Sequence, residues 1–192
     1  KIELVDRTTS FSDVGSNAWF ADAVQFTSSR ELFRGVGGGA FAPGRSMTRA
    51  MLVTVLHRLE GSPTPTTSSS FQDVDEDAWY SQALHWAVEQ GIIQGTSDGR
   101  FDPNRPMTRE MLALILYRCA GSPELSPGHR SQLDTFQDGE QVSPWARQAM
   151  EWACAKGIFL GSAQGTLRAQ DNTTRAEVSV LLHRYVAAAM GQ

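Results

Sequence analysis

The chain has little of several features by which many protein classes are recognised. Its 192 residues include two cysteines and four histidines, too few for a disulfide framework and without the spacing of a zinc site. No run approaches the roughly 18 apolar residues that a transmembrane helix needs. A formal charge of −4 gives no general attraction to nucleic acid or to an anionic membrane. What remains is a chain with 41% hydrophobic residues, enough to bury a core.

One sequence module occurs three times in this chain. Met-Thr-Arg occurs at 47–49 and 107–109, and Thr174-Arg175 follows near the end. Residues 11–63 and 71–123 share 21 identities over 53 aligned positions, where unrelated domains would share about three. A unit of about 60 residues is marginal alone. We therefore predict one compact domain over 1–192, in which repeats 11–63, 71–123 and 136–188 pack against one another.

Each repeat is predicted to contain two helices. The first follows a Phe-x-Asp opening and a tryptophan, and its apolar residues have helical spacing. Its clearest start is Ser143-Pro144, with serine as N-cap and proline at the first helical position. Gly91 and Gly157 permit a left-handed C-cap at its end. Glu31 occupies that position in repeat one, so this helix should end less cleanly there.

A glycine-rich loop leads to the second helix, which begins at a threonine: Thr48, Thr108 or Thr174. No Gly-Lys-Ser/Thr follows the paired glycines, which argues against a phosphate-binding loop. Thr174-Arg175-Ala176-Glu177 is a capping box that satisfies free amide donors. The loop is expected to hold a short extended segment in each repeat, around Phe41, Phe101 and Leu167. The predicted fold class is mainly α.

An arginine follows the threonine in every repeat: Arg49, Arg109 and Arg175, hereafter the helix-start arginines. A cation in the first turn faces the positive end of the helix dipole, at a cost of about 0.3–1 kcal/mol. We interpret this repeated cost as a sign of anion binding, because the guanidinium and free helix amides could converge on the same oxygens. The alternative is a structural pair with an acidic residue of another repeat. The candidates are Asp13, Asp73 and Asp138.

A tryptophan precedes the first helix in every repeat: Trp19, Trp79 and Trp145. An aromatic residue at such a position is most often part of the core. An exposed indole face can instead stack on sugar rings. Both interpretations remain open from the sequence.

These motifs together resemble the S-layer homology family. Its repeats show a Phe-x-Asp-Val opening, a helix near a tryptophan, a Gly-x-x-x-Gly-x-Phe-x-Pro loop and a Thr-Arg-Ala-Glu signature, usually in three copies; here they cover about Phe11 to Tyr185. The resemblance implies helix-loop-helix repeats packed as a pseudo-threefold trimer around a central three-helix bundle. It also implies anchoring of a surface protein to the bacterial cell wall through a secondary cell-wall polysaccharide, often one with pyruvylated N-acetylmannosamine.

The resemblance also assigns residues to glycan-binding grooves between repeats. The helix-start arginines would meet the ketal carboxylate, with the three tryptophans and Asp13, Asp73 and Asp138 nearby. Three loop glycines would allow close approach: Gly35, Gly95 and Gly161. Departures from the family pattern include Met51 and Met111 in place of the signature glutamate, and Leu167 and Ala169 in place of Phe and Pro. We therefore expect unequal grooves.

The expected setting is extracellular, at the cell wall or cell surface, with the chain monomeric as a pseudo-trimer. Lys1-Ile2-Glu3-Leu4-Val5-Asp6 does not resemble a signal peptide, so we expect the chain to be cut from a longer exported precursor.

Two other functions compete with anchoring. A protein–protein assembly module of a surface layer would use the same surface. An enzyme acting on wall glycan would need an acid pair, but no carboxylate stands apart from turn and capping roles. Catalytic residues, metal and cofactor are predicted to be absent.

Overall fold

The described part of the chain is mainly α-helical. The computed structural model describes residues 10–125 and 131–190, and the first six residues considered above lie outside them. These residues contain six α-helices and no β-strand, which confirms the predicted class. The helices are α1 Ala21–Ser29, α2 Arg49–Leu59, α3 Ser81–Glu89, α4 Arg109–Cys119, α5 Arg147–Ala155 and α6 Arg175–Met190. Within the described ranges, none of them has the length and apolar character to cross a membrane.

Short 3₁₀ helices and isolated bridges complete the secondary structure. The 3₁₀ helices are Leu133–Thr135, Gly139–Gln141 and Pro144–Ala146. The extended segments predicted around Phe41, Phe101 and Leu167 are not strands. Pairing in the described residues is limited to isolated bridges such as Thr48 with Pro106.

Contacts divide the chain into two compact units. The described residues of unit 1 are 10–106 and 174–183, and those of unit 2 are 107–125, 131–173 and 184–190. The boundaries fall shortly before α4, directly before the start of α6 and within α6. The single compact domain of three repeats, its pseudo-threefold trimer and the central bundle stay predictions.

The core of unit 1 lies where α2 packs against α3. Leu52, Leu56 and Leu84 are fully buried there. Phe26 of α1 stacks on His183 of α6, with ring centroids 4.4 Å apart. The second helix of one repeat thus packs against the first helix of another.

The core of unit 2 has the same construction. Helix α4 packs against α5, and Leu112, Leu116 and Met150 are fully buried. The Tyr117 and Trp152 rings meet edge to face, with centroids 5.6 Å apart. The apolar stripes read from the sequence are therefore the buried faces.

Threonine caps start the second helix of every repeat, as predicted. The Oγ1 atoms of Thr48, Thr108 and Thr174 each accept from the third helical amide at 3.3 Å. In repeat three the Glu177 carboxylate also accepts from the Thr174 N–H at 2.9 Å. The capping box is confirmed in repeat three. Repeats one and two have Met51 and Met111 at the glutamate position, so they keep only the bond to the threonine hydroxyl.

The first helices all end in the same way, which corrects one prediction. Gly91 and Gly157 have φ of 68° and 70°, as a left-handed C-cap requires. Glu31 has φ of 57°. The N–H groups of the next two residues donate to Thr27 O, and the equivalent N–H groups in repeat two donate to Ala87 O. Repeat one therefore ends cleanly, with a non-glycine residue in a strained conformation.

Ser143 is a second correction. Pro144 does occupy the first position of a 3₁₀ helix, but the Ser143 side chain makes no cap bond. Its hydroxyl instead donates to the buried carboxylate of Glu110 at 2.9 Å. A tertiary partner has displaced the local one.

Candidate functional site

The helix-start arginines bind loop carbonyls of a different repeat. In each case the Nε–H donates to the backbone oxygen of the residue at the centre of a loop. The acceptors are Phe101 for Arg49 (2.7 Å), Leu167 for Arg109 (2.8 Å) and Phe41 for Arg175 (2.8 Å). Nη2 adds a bond to Gln94 O for Arg49 (3.2 Å) and to Arg34 O for Arg175 (2.7 Å). Repeat one thus contacts the loop of repeat two, repeat two that of repeat three, and repeat three that of repeat one.

The helix amides predicted to be free are also occupied. The first two amides of α2 donate to Arg105 O and Pro103 O at 3.1 and 3.0 Å. Those of α4 donate to Asp171 O and Ala169 O, and those of α6 to Arg45 O and Pro43 O. The third amide of each helix bonds to its threonine cap. The idea that unpaired helix amides receive an anion is therefore wrong, because a neighbouring loop supplies carbonyl oxygens to them.

The aspartates of the Phe-x-Asp openings hold the same loops from the other side. Each carboxylate accepts from two consecutive loop amides, at 2.7–2.8 Å. The donors are Phe41 and Ala42 for Asp13, Phe101 and Asp102 for Asp73, and Leu167 and Arg168 for Asp138. One loop residue therefore links the two charges: its N–H bonds to the aspartate and its C=O to the arginine.

These bonds stabilise the ionised carboxylates of Asp13 and Asp73. The amide of Phe41 is the largest cause of the lowered pKa of Asp13. Burial acts to raise the pKa of Asp73, but the amides of Phe101 and Asp102 outweigh it and the pKa lies below its usual value. An arginine and an aspartate of different repeats thus bond to the same loop residue, as Arg49 and Asp73 do to Phe101, while a direct arginine–aspartate pair stays a prediction.

The residue that follows the loop centre adopts a left-handed conformation in all three repeats. Ala42, Asp102 and Arg168 have φ of 57°, 55° and 53°. None is glycine, so each costs about 1–2 kcal/mol. This conformation accompanies the alignment of two consecutive amides on one carboxylate, and the carboxylate bonds offset its cost.

Burial differs among the helix-start arginines. Arg175 is 7% exposed, whereas Arg49 and Arg109 are half-buried. The Arg175 guanidinium lies 4.5 Å from the Phe41 ring centroid and 5.0 Å from that of Phe33. Burial, followed by repulsion from Arg45, lowers the pKa of Arg175 to about 10, so it remains charged at pH 7. The three arginines therefore differ in burial, and inequality of the grooves as binding sites stays a prediction.

The tryptophans are exposed, so the core interpretation is wrong. Trp19, Trp79 and Trp145 have 69%, 66% and 51% of their surface accessible. Trp19 and Trp79 each meet the following ring edge to face, at 5.3 and 5.2 Å between centroids. Each of the three repeats therefore leaves a large indole surface in contact with solvent.

The loop glycines admit a protein ring. A Cβ atom on Gly95 or Gly161 would lie 2.5 or 2.4 Å from the phenylalanine that opens the same repeat, Phe71 or Phe136. On Gly35 it would lie 3.1 Å from Phe11 and 3.0 Å from Ala40 O. Glycine is therefore required at Gly95 and Gly161 because a phenylalanine ring of the same repeat lies against the backbone there. Binding of a ligand at these glycines stays a prediction.

An open recess adjoins Arg49 in unit 1. A cavity of about 640 Å³ is lined by Asp73, Arg100, Asp102, Pro103, Asn104 and Arg105. Arg105 is exposed, and its carbonyl accepts the N–H of Arg49. The recess is therefore lined by residues of the loop that contacts Arg49, and its lining carries charges of both signs. Residue-by-residue prediction missed Arg105, although the aligned loop of repeat one also has an arginine, Arg45.

A second cavity, of about 540 Å³, lies in unit 2. Its lining includes Trp152, Tyr185 and Lys156. None of the predicted glycan-binding residues borders it, so it is separate from the site described above.

Fold and site together define a class of protein. Each helical repeat presents one exposed tryptophan and gives one arginine to the loop of another repeat. This is the construction of a tandem-repeat protein, in which the same contact between neighbouring repeats recurs.

The family follows from comparison with known proteins. The family model described as "S-layer homology domain" matches residues 10–50, 70–110 and 135–179, which together make up more than half of the chain. The chain belongs to the S-layer homology domain family, as the sequence motifs indicated.

Several bacterial proteins share this region. An amylopullulanase of Thermoanaerobacterium thermosulfurigenes is 30% identical over 90% of this chain, which covers 9% of the relative. The surface-layer 125 kDa protein of Lysinibacillus sphaericus is 33% identical over 86% of this chain and is covered to 14%. A cellulosome-anchoring protein of Acetivibrio thermocellus is 29% identical over 80%, covered to 35%. The chain therefore spans about a third or less of each of these relatives.

Proposed function

We propose that this region anchors a surface protein non-covalently to the bacterial cell wall. Relatives named for a surface layer and for cellulosome anchoring support this function. An amylopullulanase shares the same region, so the shared part is common to proteins with and without an enzyme name. That distribution favours an anchor over a catalytic centre, and an extracellular location at the cell surface.

The ligand we propose is an anionic secondary cell-wall polysaccharide carrying pyruvylated N-acetylmannosamine. The observation that carries the proposal is the exposed tryptophan that each repeat presents while charged arginines hold the loops. Indole faces stack on the C–H faces of sugar rings, and guanidinium groups bind carboxylates through charge-assisted hydrogen bonds. Asp13, Asp73 and Asp138 act by holding the loops in shape. Several weak contacts on one polymer would raise avidity by about 10²–10⁴.

A sedimentation assay with polymer-bearing wall fragments tests this proposal. Because the tryptophans are more than half exposed, the triple variant Trp19→Ala, Trp79→Ala, Trp145→Ala should fold and yet remain in the supernatant. Met190→Ala, at an 80% exposed position, is the matched control and should pellet like the wild type. Undiminished pelleting of the folded triple variant would contradict the proposal.

Assembly of a surface layer is the second candidate. The same exposed tryptophans favour it, since aromatic residues are enriched where proteins meet. It requires self-association without polysaccharide, whereas the anchor acts as a monomer. Sedimentation velocity at rising protein concentration separates the two: a constant monomer supports the anchor, and polymer-free oligomers support assembly.

A further inference from the structure

One loop position differs in charge among the repeats. It is occupied by Arg45, Arg105 and Asp171 in repeats one, two and three. The backbone oxygen of each accepts a hydrogen bond from the backbone N–H of a helix-start arginine, at N···O distances of 2.9, 3.1 and 3.0 Å. All three residues are exposed. The position is therefore fixed next to a helix-start arginine in every repeat, with its side chain open to solvent.

Two of these loops bring like charges together. Burial is the main cause that lowers the pKa of Arg175 and of Arg49, and repulsion by Arg45 and by Arg105, respectively, lowers them further. The backbone carbonyls occupy Nε and Nη2 of both helix-start arginines. The exposed guanidinium groups of Arg45 and Arg105 are accessible cations beside them. A carboxylate bound there would relieve the repulsion. Arg100 is exposed as well, but it lies 3.7 Å from Asp73 and 3.8 Å from Asp102, which compensate its charge.

In the third loop, this position carries a negative charge instead of a positive one. Asp171 replaces the arginine, and its carboxylate pairs with Arg168 at 2.8 Å. An anion at this position would meet a carboxylate, and the adjacent cation is already in an ion pair. The physical consequence is a loop with much weaker attraction for negative charge.

The net charge of equivalent segments agrees with this contrast. Each set comprises one loop (40–46, 100–106 or 166–172), the aspartate that holds it and the helix-start arginine that contacts it. The first set contains two arginines and one aspartate, hence +1. The second contains three arginines and two aspartates, again +1, and the third contains two of each, hence zero.

We propose that Arg45 and Arg105 are the specificity-determining residues that bind the carboxylate of the polysaccharide, so that the first two loops take the anionic sugar and the third does not. The inference rests on the proposed function and deepens it, because it assigns the anion to two of three similar sites. Arg105 borders the 640 Å³ recess, which provides space for a sugar ring next to the guanidinium.

Calorimetric titration with the methyl glycoside of 4,6-pyruvylated N-acetylmannosamine tests the assignment. The wild type should bind two equivalents, and the uncharged N-acetylmannosamine glycoside should bind far more weakly. The double variant Arg45→Ala, Arg105→Ala should lose about tenfold or more in affinity, since a hydrogen bond to a charged group contributes about 1.5–3 kcal/mol. Arg168→Ala removes an exposed loop arginine of the third repeat and should leave binding unchanged.

A variant that should gain a binding site complements the variants that should lose affinity. Asp171→Arg should raise the stoichiometry from two equivalents to three. If the wild type binds the charged glycoside and the Arg45, Arg105 double variant binds it equally well, this assignment is wrong while the proposed function stands. If the wild type binds neither the glycoside nor wall polymer, both fail.

Discussion

At the residue scale, the arginine that opens each second helix and the aspartate that opens each repeat act on one peptide. In unit 1, the peptide group between Phe41 and Ala42 donates its N–H to Asp13, and its oxygen accepts from Arg175. Each charge is thereby satisfied by a backbone dipole and stays within Coulombic reach of the other. This arrangement explains why a cation is kept at a helix start, where the dipole opposes it: it fixes the loop that presents Arg45.

Asp73→Asn tests the carboxylate at this scale. Asparagine offers one oxygen and an NH₂ group to two backbone N–H donors, so the free energy of unfolding at pH 7 should fall by about 1–3 kcal/mol. The folded-state pKa of Asp73 is below its ordinary value of 3.8. The stabilisation is therefore complete above that value and is lost as the pH falls through the lower, folded pKa.

Urea unfolding at pH 7 and at about pH 3 measures this dependence. The difference between wild type and Asp73→Asn should shrink at the lower pH. Asp134→Asn, at an exposed position, serves as the control and should change little at either pH. An Asp73→Asn effect of the same size at both values would show that the ionised carboxylate is not the stabilising group.

At the element scale, capping residues decide where the helices begin and end, and the repeats differ in how well they are capped. Thr174 and Glu177 satisfy each other's amides, while Met51 and Met111 leave the reciprocal bond unmade. Glu31 takes a left-handed φ at which the other repeats have glycine. Because these positions are equivalent, the effect of each capping residue can be compared between repeats of the same chain.

Exchanging the capping residues tests the first difference. Glu177→Met should lower the free energy of unfolding by about 0.5–1.5 kcal/mol, since it removes the bond to Thr174 N–H and a favourable dipole contact. Met51→Glu should change stability in the opposite direction. Urea denaturation measures both, and equal signs for the two variants would argue against the capping box as the cause.

The strained helix end gives another prediction. Glu31→Gly relieves the left-handed conformation, whereas Glu31→Ala removes the same carboxylate and retains the strain. The free energy of unfolding of the glycine variant should be about 1 kcal/mol higher than that of the alanine variant. Thermal or urea unfolding of the pair gives this difference directly, and an alanine variant as stable as the glycine variant would show that φ at residue 31 costs little.

Local signals in the sequence were enough for much of the architecture. The threonine caps, the glycine C-caps and the apolar stripes depend on residues within a few positions of one another, and they were predicted correctly. The partners of the helix-start amides were not predictable in this way, because Pro43 O reaches Ala176 N across more than a hundred residues. Periodicity likewise could not show that Trp19 faces water, since it lies just before the helix whose stripe is buried.

At the scale of the whole molecule, three similar surfaces differ in charge and in the burial of their arginine. Such a set suits a polymer, because a chain with repeated anionic sugars can occupy several weak sites at once. Under the function proposed above, the charged loops would select the pyruvylated sugar and the exposed tryptophans would stack on any sugar ring. Salt should weaken the first contribution more than the second.

The most direct test of this account compares one wall preparation before and after removal of its ketal groups by mild acid. The wild-type protein should sediment with the untreated walls and stay in the supernatant with the treated ones, while the Arg45, Arg105 double variant should stay in the supernatant with both. Equal sedimentation of the wild type with treated and untreated walls would contradict anchoring through an anionic sugar.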